Sequence, residues 1–580
     1  LRNHLACSLP DYMVPSFFVY IDKVPLTSNG KSDRKVLPAP DLSLRLVGDE
    51  YIAPRTGVES ELASIWANVL RVEQIGIHDN FFRIGGDSII SIQMVSKARS
   101  KGIYFSVKEV FNHPTISGLA SIAKTKEDVL VFKPDQGSVK GNVLLTPIQE
   151  RFFKDNLNEI NHYNQATLLL AQKKLDPFLL NQSFSFLISH HDALRLRYYK
   201  KMENWTQTSL EKIDSFFLQE IDFSYNLSET QLSESIGEHS SLIQRTLNIE
   251  TGPLIQVALF NCGENRPQRL LIVIHHLAVD GVSWRILLGD LERIYEQFIQ
   301  GNSPSLPFKT HSYQQWAQSL KEYTFSQTLK AEIPYWQKIT ESIKPLPVDF
   351  NRGSAIGASI RTLTLTESET TQLLQHVPKA YRTEINDILL TALVFAIGDW
   401  KGSYDLSLWL EGHGREDIIK DIDLSRTVGW FTSLFPVHLQ IENPHDLGEA
   451  IKIVKEKLRQ IPIKGIGYGI INYLSPEVLA GEHKHPSLSF NYLGQWDNTL
   501  AQKGLFTFSQ EYAGQNVSDK NAPSHLLDIN AEIRNGVLHL FWSYSGNHYH
   551  QQTIEKLAQR FMERLRTLID HCCQEGVFGY

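Results

Sequence analysis

The chain has 580 residues, a formal net charge of −7, and 42% hydrophobic against 21% charged residues. That length exceeds one core and calls for about three or four units of roughly 150 residues, with ordinary globular composition. The charge balance, with no long basic run, speaks against nucleic-acid binding, and no apolar stretch reaches the roughly 18 residues of a membrane span.

Cys7, Cys262, Cys572 and Cys573 make neither a disulfide framework nor a metal-ligand spacing, so a reducing, cytoplasmic setting is expected. Leu1 stands where a start methionine would be, with no signal-like segment after it, and the chain is expected to be an excerpt of a longer polypeptide. Residues 1–38 have one apolar run, Phe17 to Ile21, and a turn at Ser28-Asn29-Gly30; a unit this small buries little core alone. A linker with Pro40 and Pro54 fills 39–56.

Residues 57–124 read as a small helical domain. Leu62, Ile65, Trp66 and Val69 share one face of a first helix, and "DNFFRIGGDS" leads into a second carrying Ile89, Ile92 and Val95 on one side. "HPTISGLASIA" supplies a closing helix, and a second linker spans 125–142. From 143 to 580 strand and helix signals alternate without a repeat between the halves, and two lobes are expected at about 143–345 and 346–580. "RLLIVI" predicts a strand running into His275-His276, and Ile286, Leu287, Leu291, Ile294 and Phe298 mark the helix behind it. In "YDLSLWLEGHGRE" strict alternation puts Leu406, Leu408 and Leu410 on one strand face and Ser407, Trp409 and Glu411 on the other.

Read from the residues alone, Asp87-Ser88 after Gly85-Gly86 is an ordinary helix N-cap. The histidine pair of "IHHLAVDGVSW" lacks the third ligand of a metal site, and no GxSxG elbow accompanies it for a charge relay. General acid–base chemistry remains, which suits an imidazole that titrates near neutrality. The pair stands where a strand gives way to a helix, so its side chains can face a cleft. Asp280 beside Gly281 is expected to order that loop through a buried salt bridge.

"DNFFRIGGDSIISIQ" resembles the attachment site of peptidyl carrier proteins, the four-helix bundles of nonribosomal peptide synthetases. The resemblance implies a 4′-phosphopantetheine arm on Ser88, placed there by a phosphopantetheinyl transferase. "NGKSDRKVLP" resembles the closing motif of adenylation domains, with Lys31 at the matching lysine and Ser32 replacing the usual valine. Only the tail of such a domain is present, so no adenylation is expected of this chain.

"HHLAVDGVSW" resembles the core motif of the condensation superfamily of these synthetases, an α/β two-lobed fold like chloramphenicol acetyltransferase. That resemblance implies that His276 is the active histidine, and that His275 and Asp280 are structural. "EGHGRE", "RTVGWFTSLFPVHL", "PIKGIGYG" and "FNYLGQWD" are similar to the motifs that set epimerisation domains apart, and the Gly-Gly-Asp-Ser of the carrier is similar to carriers that feed them. Arg151, Phe435 and Trp496 depart from the common residues of these motifs.

The whole chain is thus expected to be an adenylation-domain tail, a carrier and an epimerisation domain, between an upstream adenylation domain and a downstream condensation domain. The expected reaction exchanges the Cα proton of an L-aminoacyl or peptidyl thioester between faces. That requires a base on one face, an acid on the other and support for the enolate oxygen. Glu411 fits one role; His276 fits the other, or supports the enolate oxygen while neutral. Asn491 and Tyr492 are expected lining residues, and no metal site is expected. Two alternatives are a condensing enzyme, which shares His276, and a catalytically silent interaction module.

Overall fold

In the first element of the computed structural model, α1 (Gly57–Leu70), Leu62, Ile65, Trp66 and Val69 are all buried, as a helical face demands. The structure describes residues 51–70, 72–125, 135–213, 216–224, 227–353, 358–475, 484–496, 499–500, 504–574 and 577. The adenylation-like tail, with Lys31, lies outside them. The helix α2 (Ser88–Ser100) follows, then α3 (Val107–Asn112) and α4 (Ile116–Ile122). The short α3 has too few turns for a periodic signal, and Ser106 and Glu109 hold its start in a reciprocal capping box. These four helices enclose a core of their own around Trp66, Phe81 and Val95.

The larger part includes α5 (Pro147–Lys154) and β1 (Asn164–Ala171). Further along are β2 (Gln219–Asp222), β3 (Ile255–Asn261), β4 (Arg269–His275) and the long α6 (Gly281–Ile299). The second half supplies α7 (Ile385–Lys401), β5 (Asp405–Gly412), β6 (Ser433–Gln440), β7 (Leu488–Gln495), β8 (Phe506–Phe508), β9 (Leu527–Arg534) and β10 (Val537–Ser545). It ends on α8 (Gln551–Cys573).

One sheet has the order β8-β1-β4-β3-β2. A second runs from Ala358–Thr364 through β10, β9, β7 and β5 to β6, and a third, of three strands, pairs Gly141–Val143 and Leu196–Lys201 on either side of Asn204–Ser209. Each sheet belongs to one half of the chain except for β8. That short strand comes from the second half and pairs with the edge of β1, Phe506 opposite Ala171. The expected lobes are therefore laced together: an open sheet edge is covered by a strand from the other half.

β4 is buried along its whole length, as a central strand between β1 and β3 must be, and it ends at His275. In β5 both faces are buried down to Trp409 and Leu410, not only the leucine side, because sheet neighbours and packed helices cover each face. No described helix is long and apolar enough to cross a membrane.

Candidate active site

The sharp turn before α2 explains both glycines that precede Ser88. Gly85 has φ of +103°, where side chains are rarely tolerated. A Cβ on Gly86 would run into the ring of Phe81, itself packed edge-on against Trp66 at 4.9 Å. Asp87 then caps the helix, its Oδ1 accepting from the N–H of Ile90 at 2.7 Å. Ser88 is left half-buried at the first helical position.

This turn touches the end of β7. Gln495 Nε2 donates to the carbonyl of Gly85 at 3.1 Å. At Gly494, with φ of +80°, an added Cβ would sit 3.3 Å from both Ile89 Cδ1 and Arg285 Nη2. Further along, the N–H of Lys108 donates to Asp417, Arg99 pairs with Asp423, and the Lys464 ammonium lies 3.9 Å over the ring of Phe111.

The two histidines are held very differently. His275 is fully buried; its Nε2–H donates to the carbonyl of Ile160 at 2.9 Å and its Nδ1 accepts from the N–H of Leu277. Burial pushes its pKa down to about 3, so it stays neutral. His276 is half-buried, with Trp430 at 4.3 Å between ring centres and Tyr163 stacked at 5.7 Å. Its Nδ1 bonds to the carbonyl of Val279 at 3.0 Å and its Nε2 faces Gln165 Nε2 at 3.0 Å. Burial lowers its pKa as well.

Asp280 secures the junction behind this pair. One oxygen caps α6 through the N–H of Ser283, and the other accepts from Arg415 Nη1 at 2.7 Å and the N–H of Phe431 at 3.0 Å. Arg415 comes from the "EGHGRE" stretch, so a buried ion pair joins the histidine loop to the far half of the chain.

Glu411 lies near the end of β5, on the face shared with Trp409. Parallel pairing sets Trp409 beside Ser489, and Ser489 beside Asp528 on β9. Two residues on, Asn491 Nδ2 donates to Glu411 Oε2 at 2.8 Å. The carboxylate is open to the cleft, yet protein surrounds it on its other sides. Loss of water and the nearby charge of Asp528 raise its pKa to about 7, with Arg151 opposing the shift. Tyr163 spans the two sites: it stacks on His276, and its hydroxyl is held protonated by burial and by the charge of Glu411.

Leu434, paired with Glu411 across the sheet, lines an open-sided, mostly apolar pocket together with Arg151, Phe431 and Tyr473. Tyr492, one residue past Asn491, is found elsewhere: it sits within electrostatic reach of Asp87 and Arg285, beside the carrier turn. Among the described residues, no group of three or more His, Cys, Asp or Glu side chains is placed to hold a metal ion.

A family model described as Condensation domain matches residues 139–576, and one described as Phosphopantetheine attachment site matches 60–122. The chain belongs to the condensation-domain family. Its relatives are nonribosomal peptide synthetases. It is 41% identical to tyrocidine synthase 2 of Brevibacillus parabrevis over 100% of this chain and 16% of that protein. It is 40% identical to tyrocidine synthase 1 of the same organism over 99% of this chain and 53% of that one. The chain thus spans from about a sixth to about half of these two relatives' lengths. Among solved structures it is similar to the epimerization domain from the third module of tyrocidine synthetase B, with a TM-score of 0.71 and 39% identity over 76% of this chain and 99% of that one. The first condensation domain of the CDA synthetase shares the fold at a TM-score of 0.60 and 15% identity over 75% of this chain and 98% of that one.

The attachment-site match indicates a covalent 4′-phosphopantetheine. The structure offers it suitable donors. Arg285 Nε, the Tyr492 hydroxyl and Trp496 Nε1 are all buried without hydrogen-bond partners, and the guanidinium lies 4.9 Å over the Trp496 ring. Asp87 Oδ2 is likewise unpartnered, and Arg285, whose charge acts on Asp87, is the cation beside Ser88 that would pair with the phosphate of an arm there.

Sequence reading missed Gln165, Tyr163, Trp284, Trp430 and Asp528. Asp528 carries a usable signal, since a carboxylate inside an alternating apolar strand requires a partner. The aromatic residues carry none; they look like core.

Proposed function

We propose that this chain epimerises the Cα of an L-aminoacyl or peptidyl thioester carried on Ser88, giving the D form. The observation that carries the reading is Glu411: an accessible carboxyl held by Asn491 and poised near neutrality, whose charge is felt by Tyr163, the ring stacked on His276. The arm supplies a thioester, which acidifies Cα. Arg285 would hold its phosphate end.

The chain's own residues then move the proton. His276 stands neutral, and Glu411 is divided between acid and base near pH 7, so one takes the proton from one face while the other returns one to the opposite face. Asn491 keeps the carboxylate aimed, and Tyr163 and Trp430 wall water away from the imidazole. The identity to the tyrocidine epimerization domain supports this reading over amide formation, because the condensation-domain likeness extends only to the fold. Partners on this reading are a phosphopantetheinyl transferase, an upstream adenylation domain and a downstream condensation domain.

The test is to load Ser88 with an L-amino acid, quench, hydrolyse the thioester and resolve the enantiomers. A mixture rich in D form, absent in Ser88→Ala, is expected. Exclusively L product from a fully loaded chain would end the epimerase reading.

A further inference from the structure

Gln165 lies on β1, half-buried, within reach of both His276 and Trp284. An indole N–H only donates, so the 2.7 Å contact from Trp284 Nε1 fixes the amide oxygen of Gln165 toward the tryptophan. The amide nitrogen must then face His276, where it stands 3.0 Å from Nε2. An amide nitrogen donates, so Nε2 is the accepting, unprotonated nitrogen. The other ring nitrogen agrees independently: the Val279 carbonyl only accepts, so Nδ1 bears the hydrogen. Two separate groups therefore demand the same tautomer.

We propose that Gln165, pinned by Trp284, is a positioning residue that fixes His276 as the Nδ1–H tautomer and opposes protonation of Nε2. A proton on Nε2 would meet amide hydrogens rather than an acceptor. The inference rests on His276 being the acid–base group of the proposed reaction. Other groups facing the ring do not undo the effect. Asp280 favours a charged imidazole, but its carboxylate is already paired with Arg415. Tyr163 and Trp430 are uncharged, and His275 on the adjoining residue is neutral. The charges of Glu411, Asp528, Arg151 and Asp155 act on Tyr163, whereas Asp280 is the charge that acts on His276.

The test is the titration of His276 itself, followed by NMR in the full chain with carbon-labelled histidine and assigned by its loss in His276→Asn. Gln165→Glu keeps the shape, keeps the Trp284 bond and replaces the donor by a charged acceptor. The His276 pKa is expected to rise by about one unit or more, and the pH profile of epimerisation should shift with it. Gln165→Leu should give a smaller rise, because only the opposing donor is lost. A merely structural role would lower the melting temperature and leave the titration unmoved, and an unmoved titration in both variants would overturn the proposal. Should Gln165→Glu fail to fold, Trp284→Phe decides on the same reading: freeing the amide to turn should raise the pKa, and no rise sinks the idea. This measurement needs no turnover. A wild-type chain that fails to racemise its substrate speaks against the epimerase reading alone, and the titration speaks to Gln165 alone.

Discussion

Arg415 and Asp280 form a buried ion pair, 2.7 Å between Nη1 and Oδ2, that ties the histidine loop to the loop after the strand bearing Glu411. The guanidinium also lies 3.9 Å over the ring of Phe431, and its other nitrogen donates to the Ser283 hydroxyl and the Thr427 carbonyl. One arginine thus joins the loop after His276 to the segment that follows Glu411.

Arg415→Met should therefore damage both stability and rate. Removing one partner strands a carboxylate that is 4% exposed, and breaking a buried pair costs about 3–5 kcal/mol. Denaturant unfolding of the 139–576 region measures this. A loss below about 1 kcal/mol would mean that Asp280 is satisfied by its backbone bonds alone.

The pH dependence follows from Glu411. Its pKa stands above the usual carboxylate range, at about 7, so the basic form is lost as pH falls through that value. Epimerisation that draws on the carboxylate should fall on the acid side of about pH 7. Asp528→Asn removes the like charge and should move that limb to lower pH; Arg151→Met removes the opposing cation and should move it higher. Shifts in the same direction for both variants would break the assignment of the limb to Glu411.

Gly494 offers a test of carrier contact. Any side chain there must adopt φ of +80° and meets Ile89 and Arg285 at 3.3 Å. Gly494→Val should slow epimerisation of the loaded chain at least several-fold. Loading of Ser88 by the transferase should be unchanged, as read by intact mass. A normal rate would show that the carrier meets the second domain elsewhere during turnover.

Much of this site is legible in the sequence because it sits on regular elements. Alternation along 405–412 places Glu411 opposite the leucines, and the apolar run 269–275 delivers His275 and His276 to a strand end. What was not legible depends on which strands become neighbours. Asn491 reaches Glu411 and Asp528 flanks it only because β5, β7 and β9 lie side by side, an order that chain order does not give. Tyr492 illustrates the same limit in reverse: it neighbours Asn491 in sequence, yet strand alternation sends it to the carrier turn. Gln165 gave no signal because its role needs Trp284, 119 residues away.

The most decisive variant is Glu411→Gln. The amide keeps the shape, so the fold and carrier contact should survive, while the Asn491 Nδ2 contact loses its charged acceptor. A general acid–base group contributes about 10²–10⁴-fold, so the barrier should rise by roughly 3–5 kcal/mol. The pattern of loss says more than its size. In deuterated solvent, each enantiomer of the loaded thioester reports the group that removes its Cα proton. With His276 serving one face and Glu411 the other, the variant should still exchange deuterium into one enantiomer while inversion fails. Loss of exchange from both would make Glu411 the sole base, leaving His276 to support the enolate oxygen. Either role passes through Nε2, which as base must accept a proton and as enolate support must already carry one, and Gln165 opposes both, so the two measurements constrain each other. A Glu411→Gln chain that epimerises at the wild-type rate would remove the carboxylate from the reaction altogether.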